Sequence, residues 1–343
     1  MPVVATGTVL VTGANGYIAM WVVRTLLQAG YSVRGTVRSE GKAKHLRQVF
    51  ASYGNKLEIL IVEDITRQGA FDEAVKGVDA IEHTASPFHF KADDPEELIV
   101  PAVQGTTRIL ESALANGTTV KRVVVTSSTA SVMHPQDTPR AFSELDWNDA
   151  AINEVKEKGR GASQPAKYRA SKTLAERAAW EFVEKNKGAT GWDLVVLNPP
   201  YVFGPATQEV GAPEALNESM LDWFHSVFKG SRDAKQLSAV GSSWIDVRDL
   251  ADAHLLALQK EEAGGERIII SEGVFKWQDF VNAARKYGAK IPEGDTSYDI
   301  KTATHDIMYD TSKAARLLGL KYHSIEQSTK DIMDDFKARH WIP

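Results

Sequence analysis

Residues 12–19, TGANGYIA, follow directly on a run of β-branched and apolar residues, TVLVT (8–12). They lead into a segment carrying Val22, Val23, Leu26 and Leu27 at helical spacing. No other stretch restricts the fold so tightly. A strand that turns at once into a helix, with glycines in the turn, aims free N–H groups and the positive end of the helix at an anion. Gly13 allows the tight turn, Gly16 lets a pyrophosphate approach the backbone, and Ala19 takes the last small position. The spacing is G-x-x-G-x-x-A, distinct from the G-x-G-x-x-G of the ordinary dinucleotide fingerprint.

The same alternation continues. YSVRGTV (31–37), KLEILIV (56–62), DAIEHTA (79–85), KRVVVTS (121–127) and WDLVVLN (192–198) read as strands. Amphipathic segments lie between them, the longest at 95–117 and 166–186. Repeated βαβ units demand a parallel sheet with helices on both faces. The expected class is therefore α/β, a Rossmann-type doubly wound sheet. After residue 204 the pattern loosens. SSWIDVRDLADAHLLALQK (242–260) reads as a strand and helix returning to the sheet, RIIIS (267–271) as a strand, and the tail as helices at about 312–319 and 325–338. The expected division is residues 1–204 plus about 241–274 for the dinucleotide domain. A smaller, discontinuous C-terminal substrate lobe takes about 205–240 plus 275–343.

Composition removes other classes. Of 343 residues 43% are hydrophobic and 25% charged, as in a globular protein with a filled core. The net charge of -5 argues against a nucleic-acid partner. With no cysteine, disulfides, thiolate metal sites and cysteine nucleophiles are excluded, and a cytoplasmic location is expected. The start, MPVVATG, lacks the basic region of a signal peptide, and no apolar run reaches the length of a membrane helix. No His/Asp/Glu grouping has metal-ligand spacing, so no metal is expected.

The tip of the second strand indicates which dinucleotide binds. An acid there would bond a ribose 2′-hydroxyl. The strand instead ends Thr36, Val37, Arg38, and Lys42 follows. A guanidinium suits a 2′-phosphate through charge-assisted hydrogen bonds, so NADPH/NADP is the expected cofactor. Asp64 and Ile65, past the third strand, are placed to meet the adenine.

YRASK (168–172) puts Tyr168 and Lys172 on one face of a helix. A free phenol titrates near 10, and an adjacent ammonium favours its ionised form. Such a phenol is a general acid for a carbonyl oxygen that gains charge as its carbon takes hydride. Ser128, at the end of VVVTSS, is the hydroxyl expected to hold that oxygen. The chain order of phosphate loop, strand-end serine, then tyrosine and lysine on the next long helix gives the pair its meaning. His83, ending a strand, reads as a packed, hydrogen-bonded histidine, and Asp246 and Asp249 in WIDVRD read as structural.

TGANGYIA, VRGTVRS, HTASPF (83–88), PAVQGT (101–106), TSS (126–128), YRASK, NPPYVFGP (198–205) and WIDVRDLADAH (244–254) together resemble the extended short-chain dehydrogenase/reductases. The resemblance spans nearly the whole chain. It is closest to the branch of dihydroflavonol and cinnamoyl-CoA reductases and of fungal NADPH-dependent methylglyoxal and carbonyl reductases. It implies Ser128, Tyr168 and Lys172 as the catalytic triad. The cofactor would contact Gly13, Asn15, Gly16, Tyr17 and Ile18, with Arg38 and Lys42 on its 2′-phosphate and Asp64 and Ile65 on the adenine side. Thr84, Ala85 and Ser86 would line its path, Pro199 and Val202 would border the nicotinamide, and Ser219 would reach it from the lobe. Phe88, Phe90, Met133, Tyr201 and Trp223 are the expected substrate-lining residues. One departure is Ala102, where many relatives carry asparagine; a water relay from that asparagine to Lys172 is lost. The implied activity is NADPH-dependent reduction of aldehydes and ketones by a monomer or homodimer. An NAD-dependent nucleotide-sugar epimerase or dehydratase is the alternative enzyme, disfavoured by Arg38. A non-catalytic NADP sensor is the alternative of another class, disfavoured by the intact triad.

Overall fold

A computed structural model describes residues 3–86 and 92–342. The first half runs β1 (Thr8–Thr12), α1 (Tyr17–Gln28), β2 (Ser32–Val37), α2 (Glu40–Val49), β3 (Leu57–Ile61), β4 (Ala80–His83), α3 (Glu96–Asn116), β5 (Arg122–Thr126), β6 (Arg140–Phe142), α4 (Asp149–Lys158) and α5 (Gln164–Lys185). The second half runs β7 (Asp193–Asn198), β8 (Tyr201–Phe203), α6 (Glu218–Phe228), α7 (Ala234–Ala239), β9 (Gly241–Asp246), α8 (Val247–Gln259), β10 (Arg267–Ile269), β11 (Gly273–Lys276), α9 (Trp277–Lys286), β12 (Ile307–Tyr309), α10 (Ser312–Leu317) and α11 (Ile325–Ala338).

Seven strands form one sheet in the order β10-β7-β5-β4-β1-β2-β3, and every pairing is parallel. The strand period of two sends alternate residues to opposite faces. Val9, Val11, Val124 and Leu197 pack on the α1 and α8 side, while Leu10, Val123, Val125 and Val196 pack on the α3 and α5 side. The chain order reverses between β1 and β4. In a doubly wound sheet, ligands bind at the carboxyl ends of the strands where this reversal opens a crevice.

Two departures from the sequence reading concern the second half. β9 does not rejoin the large sheet; it pairs in parallel with β8 and antiparallel with β11. The place beside β7 is taken by β10, with Ile268 opposite Leu197. Trp244 on β9 instead packs against Phe203 and Phe280, at 6.4 and 5.6 Å between ring centres. The second departure is a parallel pair of β6 with β12, joining residues 140–142 to 307–309. The apolar core is continuous: Trp223, Phe280 and Phe336 of the later helices belong to the same packed cluster as Val9 and Val11.

Candidate active site

Ser128 stands just beyond β5, where the chain turns. Its Oγ accepts from the Ala130 N–H at 3.1 Å and donates to the Pro199 carbonyl at 3.4 Å. It also hydrogen-bonds the Tyr168 phenol. Tyr168 arrives on α5, which starts with Ser163 capping the Ala166 N–H and Pro165 in its first turn. Small residues, Ala170, Ser171, Ala175 and Ala179, let α5 lie close on its neighbours. Serine and tyrosine therefore meet because a strand end and a tightly seated helix are brought together, and Lys172 follows one turn further along α5, beside His83, Ser127 and Glu176.

The electrostatics differ from the expectation of an ammonium pulling the phenol down. Burial pushes the Tyr168 phenol up to about 12, opposed by the Ser128 hydrogen bond. Burial drives the Lys172 ammonium down to about 8, opposed by the nearby Glu176 carboxylate. Desolvation is the largest cause in both groups. The phenol is thus a proton carrier at neutral pH, ready to donate.

Glu176, one turn beyond Lys172, escapes the sequence reading. It is buried, and its Oε2 accepts from Ser127 at 2.6 Å, Ser131 at 2.5 Å and Asn198 at 2.8 Å. Its Oε1 pairs with Arg267 Nε. The extension Y-x-x-x-K-x-x-x-E was the available signal: three residues at helical spacing on one face. His83 is buried as expected, its Nδ1 2.9 Å from Thr12 Oγ1, and burial followed by Lys172 lowers it to about 3. It is a neutral histidine. Asp246 caps α8 through the Arg248 N–H and pairs with the Arg248 side chain at 2.8 Å. Asp249 accepts from the His323 N–H at 2.8 Å.

At the first βα junction Gly13 has φ +63°, and a Cβ there would lie 3.1 Å from Ala85. Gly16 donates to the Gly13 carbonyl at 2.8 Å and begins α1 with no side-chain cap. The first turn of α1 holds no acid. Tyr17 turns inward, its hydroxyl donating to the Gly204 carbonyl at 3.0 Å, so its side chain braces the loop while its backbone stays at the helix start. Thr84 donates to the Thr12 carbonyl at 2.5 Å and Ala85 N–H to Thr12 Oγ1 at 3.1 Å, closing the switch point. Arg38 and Lys42 are exposed at the tip of β2 and start of α2, with no ion-pair partner among the described residues. Asp64 accepts from Thr66 N and Oγ1 at 2.9 and 2.6 Å, and these bonds hold it below the usual carboxylate range. An open helix start, a glycine cradle and two unpaired cations fit a dinucleotide carrying an extra phosphate.

Beside Ser128 and Tyr168 opens a cavity of about 500 Å³. Met133, Tyr201 and Ser219 line it, with Leu221 and Tyr309. Val202 is buried next to it on β8, and the Pro199 carbonyl accepts from Thr129 N at 2.9 Å. Trp223 is placed elsewhere: fully buried, it packs edge-on against Phe280 and Phe336 at 6.1 and 6.0 Å. The apolar side of α6 faces the core, and Trp223 lies wholly within it, while the half-buried Ser219 and Leu221 reach the cavity. Phe88 and Phe90 lie outside the described residues. Among the described residues no group of three or more His, Asp or Glu is arranged to hold a metal, and no helix is long and apolar enough to cross a membrane.

A parallel doubly wound sheet with a Ser–Tyr–Lys constellation at its carboxyl edge defines a dinucleotide-dependent enzyme of the extended short-chain type. The chain belongs to the NAD dependent epimerase/dehydratase family, whose model matches residues 9–271. It is 35% identical over 337 residues to a ketoreductase of Aspergillus niger, covering 94% of this chain and 95% of that protein. It is 36% identical over 338 residues to the NADPH-dependent methylglyoxal reductase of Saccharomyces cerevisiae, covering 94% and 96%. The crystal structure of yeast methylglyoxal/isovaleraldehyde reductase complexed with NADPH superposes with a TM-score of 0.86 at 33% identity, over 98% of this chain and 100% of that one.

Proposed function

We propose that this protein reduces aldehydes and ketones to alcohols with NADPH. The observation that carries the reading is the hydrogen-bonded Ser128–Tyr168 pair on the wall of a cavity just beyond the carboxyl end of β5. When bound, the cofactor would supply the hydride that adds to the carbonyl carbon. Everything else falls to the chain. Ser128 and Tyr168 offer two hydroxyl donors to one carbonyl oxygen. As that oxygen gains negative charge, Tyr168 gives up its proton and the alcohol is complete. Lys172 places a positive charge behind the phenol and favours the phenolate left after donation.

For the cofactor we assign Gly13, Asn15, Gly16, Tyr17 and Ile18 to the pyrophosphate, largely through backbone N–H groups. Arg38 and Lys42 take the 2′-phosphate, and Asp64 and Ile65 the adenine side. Thr84, Ala85 and Ser86 follow the dinucleotide along the switch point, and Pro199, Val202 and Ser219 border its reactive end. Arg38, where an NAD enzyme would carry an acid, favours the reductase over an epimerase. We place the protein in the cytoplasm, as a monomer or homodimer. A screen of methylglyoxal, branched aldehydes, diketones and keto esters tests the reading. Substrate-dependent oxidation of NADPH, at least tenfold faster than of NADH, is expected; no oxidation with any carbonyl would overturn it.

A further inference from the structure

Carbonyl reduction by the triad gives no task to one charged group in the substrate cavity. Arg169 follows Tyr168 directly on α5, is half-buried, and lines the same cavity as Ser128 and Tyr168. Its positive charge acts on the phenols of both Tyr201 and Tyr309, which share that wall. Its guanidinium makes no hydrogen bond or ion pair with any described residue.

Several other partly buried arginines are ion-paired, while Arg24 lies over the Trp21 ring at 4.6 Å. Arg232 pairs with Asp222 at 2.9 Å, Arg177 with Asp149 at 2.7 Å, and Arg248 with Asp246 and Asp331 at 2.8 and 2.6 Å. A half-buried guanidinium that faces a cavity and has no protein acceptor keeps its hydrogen-bond donors free for an anion entering that cavity. Three more ionisable side chains line the space: Glu218, Asp222 and His225. Asp222 is already neutralised by Arg232. Glu218 sits in the first turn of α6, where the helix end favours a carboxylate. Arg169 is the cation left to receive a ligand. The planar guanidinium fork matches a carboxylate with two parallel hydrogen bonds. The Tyr201 side chain is 38% exposed, so its hydroxyl stands within reach of a ligand in the cavity.

Resting on the carbonyl-reductase reading, we propose that Arg169, with the Tyr201 phenol beside it, forms an anion subsite, and that the preferred substrates are oxo acids. The carboxylate docks on Arg169 while the carbonyl oxygen meets Ser128 and Tyr168. Because the two binding residues leave the same turn of α5, carbonyl and carboxylate lie close together, which selects short oxo acids. Reduction itself is unchanged: hydride to carbon, proton to oxygen, a hydroxy acid as product.

The test compares 2-oxobutanoate and 4-oxopentanoate, each with its methyl ester, in the intact enzyme with NADPH. The ester keeps the carbonyl and removes the charge. The wild type should favour at least one acid over its ester in kcat/KM, and added salt should erode that preference. Arg169→Met should lower the acid-to-ester ratio at least tenfold, chiefly through KM, and Arg169→Lys should recover part of it. Glu218→Gln should raise the ratio by removing a like charge. A ratio unchanged within twofold in Arg169→Met overturns the subsite. Equal losses on acid and ester in both Arg169→Met and Glu218→Gln also overturn it, making the two residues partners of one another. A wild type that reduces esters and aldehydes but rejects both acids refutes the oxo-acid preference and leaves carbonyl reduction standing. Only failure with acids, esters and neutral aldehydes alike removes carbonyl reduction, and this proposal with it.

Discussion

At the scale of single residues, the site holds its charges against burial. Tyr168, at about 12, keeps its proton throughout the physiological range. Tyr168→Phe removes that proton and should lower kcat by roughly 10²–10⁴ with NADPH affinity kept, as general-acid loss does; near-normal turnover by the variant would refute the assignment. Lys172, at about 8, is charged below that pH and neutral above it. The charge that favours phenolate is therefore present at low pH and lost as pH rises through about 8, so kcat/KM for reduction should decline on that limb. Lys172→Arg, charged at every accessible pH, should lose the limb. A wild-type profile that stays flat up to about pH 10 would show that the Lys172 charge does not control the rate. The sign for stability is opposite. The folded lysine titrates below its ordinary value, so the unfolded chain binds more protons between the two, and this residue's contribution to stability rises with pH across that window.

At the scale of elements, α5 carries Tyr168 and Lys172 together with a buried acid, Glu176. Glu176 joins α5 to the end of β5 through Ser127, to β7 through Asn198 and to β10 through Arg267. Arg267 also donates to the carbonyls of Glu144 and Asp146 at 2.9 and 2.6 Å and lies over the Trp147 ring at 3.8 Å. One carboxylate thus fixes how α5 sits on three strands, and with it the position of Tyr168 against Ser128. Glu176→Ala leaves Arg267 buried and unpaired. It should cost about 3–5 kcal/mol of unfolding free energy, read as a lower denaturation midpoint with an unchanged slope. A midpoint equal to the wild type would show that the network adds nothing net. The α5 pattern itself was open to sequence reading through its spacing. Glu176 shares that spacing, but its burial was not legible, because a glutamate on a helix is usually solvated, and only the approach of β7 and β10 buries this one.

At the scale of the whole molecule, a ligand that binds only the folded state adds stability by mass action. At a hundredfold excess over its dissociation constant NADPH should add about 2.7 kcal/mol and raise Tm by several degrees, while NADH at the same concentration should add less. Arg38→Ala should shrink the difference between them, since the role proposed for its guanidinium is on the phosphate that only NADPH carries. Equal shifts for both dinucleotides in wild type and variant would remove the phosphate role of Arg38. The later segments matter at this scale too. Trp223, Phe280 and Phe336 pack into the core that also holds Val9 and Val11, so the walls of the substrate cavity are anchored to the same body as the glycine turn.

The chain's own order of residues determined the sheet, the glycine turn after β1 and the Tyr168–Lys172 spacing on α5. Each rests on local chemistry: β-branched runs, the left-handed freedom of Gly13, and a four-residue spacing on a helix. What only the tertiary structure decided came from distant segments meeting. β9, expected to return to the large sheet, pairs instead with β8 and β11, β10 takes the edge beside β7, and β6 pairs with β12 from the far end of the chain. Trp223 turned inward because one side of α6 had a core to join. Arg169 became a cavity residue, and the phenol rose in place of falling, because burial is a property of the assembled molecule and leaves no mark in the spacing of residues along it.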